Sequence, residues 1–310
     1  MKAIVLAGGS GTRLYPLTVG TSKQLLPVFN KPMVYYPLST VMLAGCRDIL
    51  IITTPEDSAN FERLLGDGSN FGINLSYATQ AKPEGISQAF LIAEEVGFLT
   101  PGEPVCLVLG DNIFHSAGLT EQLKIAAKNA KYGRASVYGF YVKDPRRYGV
   151  ATVDKSGLPQ KGFYPCTGIE EKPEKPKSHY AVIGLYFYPG TVIEKTRALK
   201  PSPRGELEIT DLNKAYIEEN RLGIHLLPRG FTWLDAGLFD SLIDAGNYVQ
   251  AVEKRTGCMI ACLEEIGYNN GWLTKEKLIE RGTVMKNNEY GQYLLKIAEQ
   301  EPVPSEELET

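Results

Sequence analysis

The sequence predicts an α/β fold: a mostly parallel, Rossmann-like sheet flanked by helices, with a small helical region at its C-terminal end. Two observations support this prediction. The first half alternates short aliphatic runs, typical of buried parallel strands, with segments whose apolar residues recur at helical spacing. From Cys258 onward the pattern is helical and is interrupted by glycines. Such alternation gives a sheet covered by helices on both faces.

Four aliphatic runs in the first half predict buried strands. They lie at residues 2–7, Asp48–Thr53, Asn74–Thr79 and Pro104–Leu109. Two further segments predict amphipathic helices. Their apolar faces are formed by Ile86, Ala89, Phe90 and Ala93 in the first, and by Leu119, Leu123, Ala126, Ala127 and Ala130 in the second. Because ligands of such sheets bind at the carboxyl ends of strands, residues that follow the first and fourth strands are candidate site residues.

The second half is more mixed. Further strands, which extend the sheet, are predicted at Ala135–Tyr141, Tyr148–Val153 and Tyr180–Tyr188. A helical apolar face from Leu238 to Val252 predicts a helix that stops before Gly257.

We expect three parts along the chain. A core occupies residues 1–257, and its two halves divide near residue 115. A helical piece follows at 258–300. The last segment, 301–310, holds two prolines and four glutamates and is expected to be frayed.

Composition excludes several classes of protein. The 310 residues are 43% apolar, which predicts a sizeable core. The net charge of −3 argues against a nucleic-acid partner. No apolar stretch approaches the roughly 20 residues that span a bilayer, so no membrane partner is expected. The five cysteines lack the spacing of a zinc ribbon or redox pair, and predict free thiols in a cytoplasmic setting.

The loop after the first run is a candidate triphosphate cradle. Gly8, Gly9 and Gly11 allow close backbone approach and can direct several N–H groups toward one point. Arg13 and Lys23 would add positive charge beside the loop. The spacing fits neither a Walker P-loop nor a dinucleotide fingerprint. An ordinary glycine turn is the alternative.

Two aspartates follow apolar runs and are candidate magnesium ligands. Asp111 comes directly after the fourth strand, where a carboxylate would point into the ligand crevice. Asp235 follows a short apolar run and precedes a predicted helix. The alternative for Asp111 is an N-cap or turn aspartate, and for Asp235 an N-cap of the helix near Leu238.

Three further positions are candidate substrate contacts. Pro173 leaves the residues before it extended or in a turn, so Lys172 could face a cleft and meet a substrate phosphate, although a solvated lysine is the alternative. Arg204 could meet phosphate or pair with nearby glutamates, and Thr210 could cap the following helix. The glycine in Tyr148-Gly149 permits a flat ligand such as a sugar ring to approach the backbone.

Together these motifs resemble the sugar nucleotidyltransferases, in the same order from Met1 to about residue 295. The matching segments are Leu6–Leu14, Ser22–Pro27, Tyr35–Leu38, Leu65–Ser69, Leu109–Asn112, Glu171–Pro173, Ser202–Thr210 and Trp233–Asp235. Ser-Lys-Gln-Leu-Leu-Pro and Gly-Asp-Gly-Ser point to the thymidylyl branch. The resemblance implies that the phosphate of glucose 1-phosphate attacks the α-phosphorus of dTTP, with Mg²⁺, giving dTDP-glucose and pyrophosphate.

The resemblance also implies roles for individual residues. The nucleotide would be held by Leu6, Gly8, Gly9, Gly11 and Arg13, with Gln80 and Gly85 at the thymine edge. Lys23 would touch the phosphates of both substrates, and Asp111 and Asp235 would bind Mg²⁺. The sugar phosphate would meet Tyr148, Gly149, Glu171, Lys172, Tyr186 and Arg204. The core would then divide into a nucleotide-binding half at about 1–115 and a sugar-binding half at about 116–257. A homotetramer and a second, inhibitory nucleotide site are implied as well.

One segment departs from the family pattern. Residues 154–169 exceed the family pattern by several positions, and their glycines and prolines predict an added loop beside the sugar pocket. Three alternative functions stay open: a uridylyltransferase of the same mechanism, an inactive nucleotide-binding regulator, and a nicotinamide dehydrogenase, which the glycine spacing disfavours.

Overall fold

In a computed structural model of the chain, residues 1–156 and 163–303 are described. The strands, in chain order, are β1 (Lys2–Leu6), β2 (Pro27–Val28), β3 (Lys31–Pro32), β4 (Asp48–Thr53), β5 (Asn74–Thr79), β6 (Gly102–Leu109), β7 (Asn112–His115), β8 (Ala135–Tyr141), β9 (Gly149–Val153), β10 (Phe163–Glu171), β11 (Tyr180–Gly190), β12 (Leu222–Leu226) and β13 (Thr232–Asp235). The helices are α1 (Tyr35–Leu43), α2 (Ser58–Leu65), α3 (Gln88–Glu95), α4 (Leu119–Lys131), α5 (Val192–Ala198), α6 (Ile209–Glu218), α7 (Phe239–Thr256), α8 (Leu263–Asn269), α9 (Lys275–Val284) and α10 (Glu289–Ala298).

A nine-stranded sheet in the order β5-β4-β1-β6-β11-β8-β12-β10-β9 forms the centre of the fold. The pairs within β5-β4-β1-β6 are parallel, as is β8 with β12. The remaining neighbours run antiparallel. The predicted α/β class is confirmed, with its parallel pairing concentrated in the first half of the chain.

Alternate residues of each strand pack on opposite faces of the sheet, as the two-residue period of a strand requires. In β1, Ala3 and Val5 pack with α1, α2 and α4 on one face. Ile4 and Leu6 pack with α3, α5 and α6 on the other. Both faces of the central strands are thus buried, which explains why their sequences are continuous aliphatic runs.

The predicted helices in the first half are confirmed as α3 and α4, and the later one as α7. Gly257 ends α7 in a left-handed conformation (φ 72°), which a glycine adopts without steric cost. Helices α8, α9 and α10 form the predicted helical C-terminal region. All five cysteines lie within the described ranges and are free thiols, as predicted. None of the helices in those ranges combines the length and apolar character that a bilayer span requires.

The prediction of a loop over 154–169 is wrong for its second part, because residues 163–169 belong to β10. Phe163 to Pro165 pair with β12, and the rest of the strand pairs with β9 after an irregularity between Cys166 and Gly168. Residues 157–162 of the expected loop lie outside the described residues. Of the expected frayed tail, 301–303 form no regular secondary structure and 304–310 lie outside the described residues.

Candidate active site

A cavity of about 330 Å³ opens where β6 ends, at the carboxyl edge of the parallel strands. This volume is within the usual range for small-molecule pockets. Its wall includes seven of the residues predicted from the sequence: Gly11, Arg13, Lys23, Asp111, Tyr148, Tyr186 and Asp235. The structure therefore brings the glycine loop, both aspartates and part of the predicted sugar pocket to one place.

The glycine loop follows β1 directly and lies against the cavity. Gly9 (φ 100°) and Gly11 (φ 60°) have left-handed backbone angles that favour glycine. The Gly11 carbonyl accepts a hydrogen bond from Thr18 Oγ1 at 2.8 Å, which holds the loop closed on itself. Arg13 is exposed and lines the cavity, so its guanidinium is available to an anionic ligand.

Asp111 is positioned by the close packing of Gly110 against the backbone at the end of β1. The Gly110 N–H donates to the Leu6 carbonyl at 2.9 Å, and a Cβ on Gly110 would lie only 3.0 Å from that oxygen. Asp111 Oδ2 accepts a hydrogen bond from Lys23 Nζ in a mostly buried ion pair. Burial alone would raise the pKa of Asp111, but the Lys23 ammonium outweighs it and the pKa is lowered.

A short antiparallel ribbon of β7 and β13 brings Asp235 beside Asp111. Asn112 lies opposite Asp235 in its register, and the Ala236 N–H donates to the Asp111 carbonyl at 3.1 Å. A Cβ on Gly237 would lie 3.0 Å from Asp235 Oδ1 and 3.9 Å from Asp111 Oδ2. Burial, and then the neighbouring Asp111 carboxylate, raise the pKa of Asp235. The N-cap alternative for Asp235 is wrong, because Leu238 caps α7.

The two carboxylates fit the donor set that Mg²⁺ takes from nucleotide-binding proteins. Mg²⁺ is usually bound through one or two carboxylates, with waters and substrate phosphates completing an octahedron. Within residues 1–156 and 163–303, no three His, Cys, Asp or Glu side chains gather into a metal cluster. Within that part of the chain the two carboxylates are not supplemented by a third such ligand, and Asp111 with Asp235 suits a metal whose remaining positions are filled by waters or phosphate oxygens.

A second group of polar residues surrounds Glu171 at the end of β10. Glu171 Oε2 accepts from Thr210 Oγ1 at 2.5 Å, and Oε1 lies 3.1 Å from Lys172 Nζ. A Cβ on Gly149 would lie 3.4 Å from Glu171 Oε2, so the glycine keeps the carboxylate accessible. Burial and then Glu171 raise the pKa of Tyr186. The prediction that Thr210 caps a helix is wrong, because α6 is preceded by Glu208 and Thr210 lies inside it.

Gln80 and Gly85 lie beside the glycine loop, outside the lining of this cavity. Gln80 Nε2 donates to the Gly85 carbonyl at 3.2 Å and to Gln88 Oε1 at 2.6 Å. Gln80 Oε1 lies 3.2 Å from where a Cβ on Gly8 would be. Gly85 (φ 105°) packs so tightly on Leu207 that a Cβ would come within 2.4 Å of its carbonyl oxygen. The amide of Gln80 is therefore fixed next to the start of the loop.

Arg204 lies away from the cavity lining. Its guanidinium is half exposed and pairs with Glu208 at 2.8 Å and Glu206 at 3.3 Å. The structure therefore shows the pairing alternative, and a phosphate contact by Arg204 stays a prediction.

Asn112 and Trp233 are among the cavity residues that the sequence reasoning did not assign to the site. Asn112 is 3% exposed, and its side chain hydrogen-bonds both Asp111 and Trp233. Trp233 lies in the cavity wall with its ring 5.3 Å from that of Tyr148. Their positions beside the two aspartates in Gly-Asp-Asn and Trp-Leu-Asp were the only signal available.

The fold and this site define a nucleotidyltransferase, a class in which an amide-rich loop and acidic residues meet a nucleoside triphosphate. The family model described as Nucleotidyl transferase matches residues 2–252. A UDP-glucose pyrophosphorylase complexed with UDP-glucose, known from a solved structure, is similar in fold. Its TM-score is 0.68 at 26% identity, with 82% of this chain and 98% of that chain covered.

Comparison with curated relatives identifies the family within this class. A Neisseria meningitidis glucose-1-phosphate thymidylyltransferase is 54% identical over 297 residues, covering 96% of this chain and 99% of the relative. A protein of the same name from Xanthomonas campestris is 52% identical over 297 residues, covering 96% and 97%. The chain belongs to the glucose-1-phosphate thymidylyltransferase family of nucleotidyltransferases.

Proposed function

We propose that this enzyme transfers the thymidylyl group of dTTP to α-D-glucose 1-phosphate, with Mg²⁺, giving dTDP-glucose and pyrophosphate. The observation that supports it most is the convergence of Asp111, Asp235 and Lys23 beside the glycine loop in one cavity. The relatives at 52–54% identity carry this activity in their name.

The nucleotide is proposed to bind with its triphosphate on the glycine loop and its base against Gln80. Backbone N–H groups from Gly8 through Gly11, in the loop that follows Leu6, and the Arg13 guanidinium would hold the triphosphate. Gln80, next to Gly8 and bonded to the Gly85 carbonyl, would face the base. Both Nε2 hydrogens of Gln80 are used by Gly85 and Gln88, which leaves Oε1 to accept a hydrogen bond from the ring N–H of a pyrimidine.

The sugar phosphate is proposed to bind at the Glu171 group. A carboxylate held by Thr210 and Lys172 still has free lone pairs, which can accept hydrogen bonds from sugar hydroxyls. Gly149 permits close approach of a ring, and Tyr148 and Tyr186 provide apolar wall. Lys172 would neutralise the phosphate of the sugar.

In the proposed reaction, a phosphate oxygen of the sugar attacks the α-phosphorus of dTTP in line. A P–O bond forms there, the bond to the β-phosphate breaks, and pyrophosphate leaves with the electron pair. The nucleophile is already an anion, so no protein base is required. The chain's task is to hold two mutually repelling anions in line, through Arg13, Lys23 and Lys172. Mg²⁺ held by Asp111 and Asp235 would supply further neutralisation of the phosphate charge.

Replacing Lys172 with Ala is expected to raise the KM for glucose 1-phosphate roughly 10- to 100-fold. A hydrogen bond to a charged group contributes about 1.5–3 kcal/mol, and removing it leaves the nucleotide side untouched. Initial rates at varied sugar phosphate and saturating dTTP measure this. Lys175→Ala, an exposed lysine three residues further on, is the matched control. A KM for the sugar phosphate that matches the control would remove Lys172 from the phosphate site.

The nucleotide assignment is tested by pyrophosphate release with glucose 1-phosphate and dTTP, UTP, ATP or GTP, with and without EDTA. We expect EDTA-sensitive turnover that is fastest with dTTP, and a preference over UTP of at least about tenfold, since UTP lacks the methyl group of the base and carries an additional 2′-hydroxyl. Faster turnover with UTP would favour the uridylyltransferase alternative. No turnover with any of the four would favour a binding protein without catalysis.

We also propose how the core is divided between the two substrates and how many copies of the chain assemble. Residues 1–115 would form the nucleotide-binding half and 116–257 the sugar-binding half, in a cytoplasmic homotetramer. Phe239 and Ile243 expose apolar surface one turn apart on α7, which supports contact between copies. Light scattering during gel filtration measures the assembly.

A further inference from the structure

The cavity wall and the Asp111 carboxylate are joined through one buried amide, that of Asn112. Asn112 Nδ2 donates to Asp111 Oδ1 at 2.9 Å. Asn112 Oδ1 accepts from Trp233 Nε1 at 2.7 Å and from the Gly184 N–H at 3.3 Å. The amide group is thus bonded on both sides, and it is 3% exposed, so water cannot replace a lost partner easily.

The direction of this amide is set by Trp233. An indole N–H only donates, so the Asn112 oxygen must face it and the NH₂ group must face Asp111. With the amide turned over, its oxygen would meet the Asp111 carboxylate and its NH₂ group would meet the indole N–H. Both contacts are unfavourable in a site that excludes water. The shorter of the two bonds to the oxygen comes from Trp233, and the longer one comes from Gly184.

Trp233 is itself held in place by aromatic packing. Its ring lies 5.6 Å from that of Phe140 and 5.3 Å from that of Tyr148, in edge-to-face geometry. The Tyr148 carbonyl accepts from the Lys172 N–H at 3.0 Å, next to the Glu171 group. A Cβ on Gly184 would lie 2.9 Å from Asn112 Cγ, so a glycine at this position of β11 is what leaves space for the amide.

We propose that Trp233 is a positioning residue for metal binding: its indole N–H fixes the Asn112 amide, which in turn orients the Asp111 carboxylate. The inference rests on the proposed function of the same site. The Asn112 amide takes one lone pair of Asp111 Oδ1 and the Lys23 ammonium takes one of Oδ2, so these two donors fix the plane in which the remaining lone pairs meet a cation. Partners that orient a ligating side chain in this way typically change metal affinity 10- to 100-fold.

The test is Mn²⁺ binding measured by electron paramagnetic resonance, without nucleotide or sugar phosphate. Trp233→Phe keeps the ring and removes only the N–H. We expect about tenfold weaker Mn²⁺ binding, at the lower end of the usual range because the Gly184 N–H remains. Trp272→Phe makes the same change at the second tryptophan, beside Gly72 and away from the site, and should bind Mn²⁺ as the wild type does.

Two further measurements separate positioning from a general loss of structure. In Trp233→Phe, turnover at limiting Mg²⁺ should fall and recover when Mg²⁺ is raised, while the KM for glucose 1-phosphate changes less than about threefold. Asn112→Ala should weaken Mn²⁺ binding, and adding Trp233→Phe to it should weaken it no further, because the two act through one contact.

Three results would overturn the proposal: a wild type that binds no Mn²⁺, a Trp233→Phe protein that binds it as tightly as the wild type, or full additivity of the two variants. Because the assay contains neither substrate, its outcome is independent of which nucleotide the enzyme uses. A wrong assignment of dTTP would therefore leave this result unchanged.

Discussion

Asp111→Asn is expected to lower kcat by roughly a thousandfold or more while the protein stays folded. The substitution keeps the shape of the side chain but removes the negative charge that faces Asp235 and Lys23 at the cavity. A metal ion contributes several kcal/mol of charge stabilisation to phosphoryl transfer, and each 1.36 kcal/mol is about tenfold in rate. Pyrophosphate release at saturating dTTP and glucose 1-phosphate measures the loss.

The matched control for this variant is Asp48→Asn. Asp48 is exposed at the start of β4, at the amino ends of the parallel strands and so at the end opposite the cavity, and accepts a hydrogen bond from Asn74. It should leave kcat unchanged, and thermal melting should show that both variants are folded. Kinetics in Asp111→Asn that resemble those of the wild type would remove Asp111 from the proposed metal site.

The second large effect concerns stability in acid and depends on His225 in β12. His225 is 1% exposed, stacked 5.0 Å from the Tyr138 ring, and its two ring nitrogens have no hydrogen-bond partner among the described residues. Burial lowers the pKa of His225 from 6.5 to about 4. The folded protein therefore resists a proton that the unfolded chain accepts.

The sign of the pH effect follows from this lowered pKa. Above pH 6.5 neither state is protonated at His225, and its contribution to stability is complete. As the pH falls from 6.5 to about 4, the unfolded state binds the proton first, and the free energy of unfolding drops by up to about 3 kcal/mol. Urea unfolding at several pH values measures this loss.

Carboxylates also destabilise proteins in acid, so a comparison between variants is required. His225→Phe keeps an aromatic ring against Tyr138 and cannot titrate. Its stability relative to the wild type should increase as the pH falls through this window. His179→Phe makes the same substitution at an exposed histidine and is the matched control. Parallel pH profiles for wild type and His225→Phe would contradict the prediction.

The sequence predicted the strands best where both faces of the sheet are buried. Asp48–Thr53 matches β4 in full, because a buried parallel strand is a short aliphatic run with clear ends. Asn74–Thr79 also matches β5, although β5 is an edge strand and is mostly exposed or half-buried. Residues 163–169 of β10 are predicted as loop because they contain Pro165 and Gly168. The pairing of β10 with β12 and β9 depends on residues distant in the chain, which local propensity does not register.

The same limit applies to the site. The glycine loop and both aspartates could be predicted, because each follows an apolar run that ends at the ligand edge of the sheet. The link through Asn112 and Trp233 could not be, since the hydrogen bond joins residues 121 positions apart. The role predicted for Thr210 was wrong for a similar reason: its hydrogen-bond partner, Glu171, lies on β10 and is distant in the chain.

The ribbon of β7 and β13 also determines when during synthesis the site can exist. Its two strands pair Asn112 with Asp235, so most of the chain must leave the ribosome before the second aspartate can join the first. The parallel strands β1, β4 and β6 are complete long before that point. A nascent chain that ends before β13 therefore has a glycine loop and one carboxylate but no pair, and catalytic competence is expected only after β13 has left the ribosome.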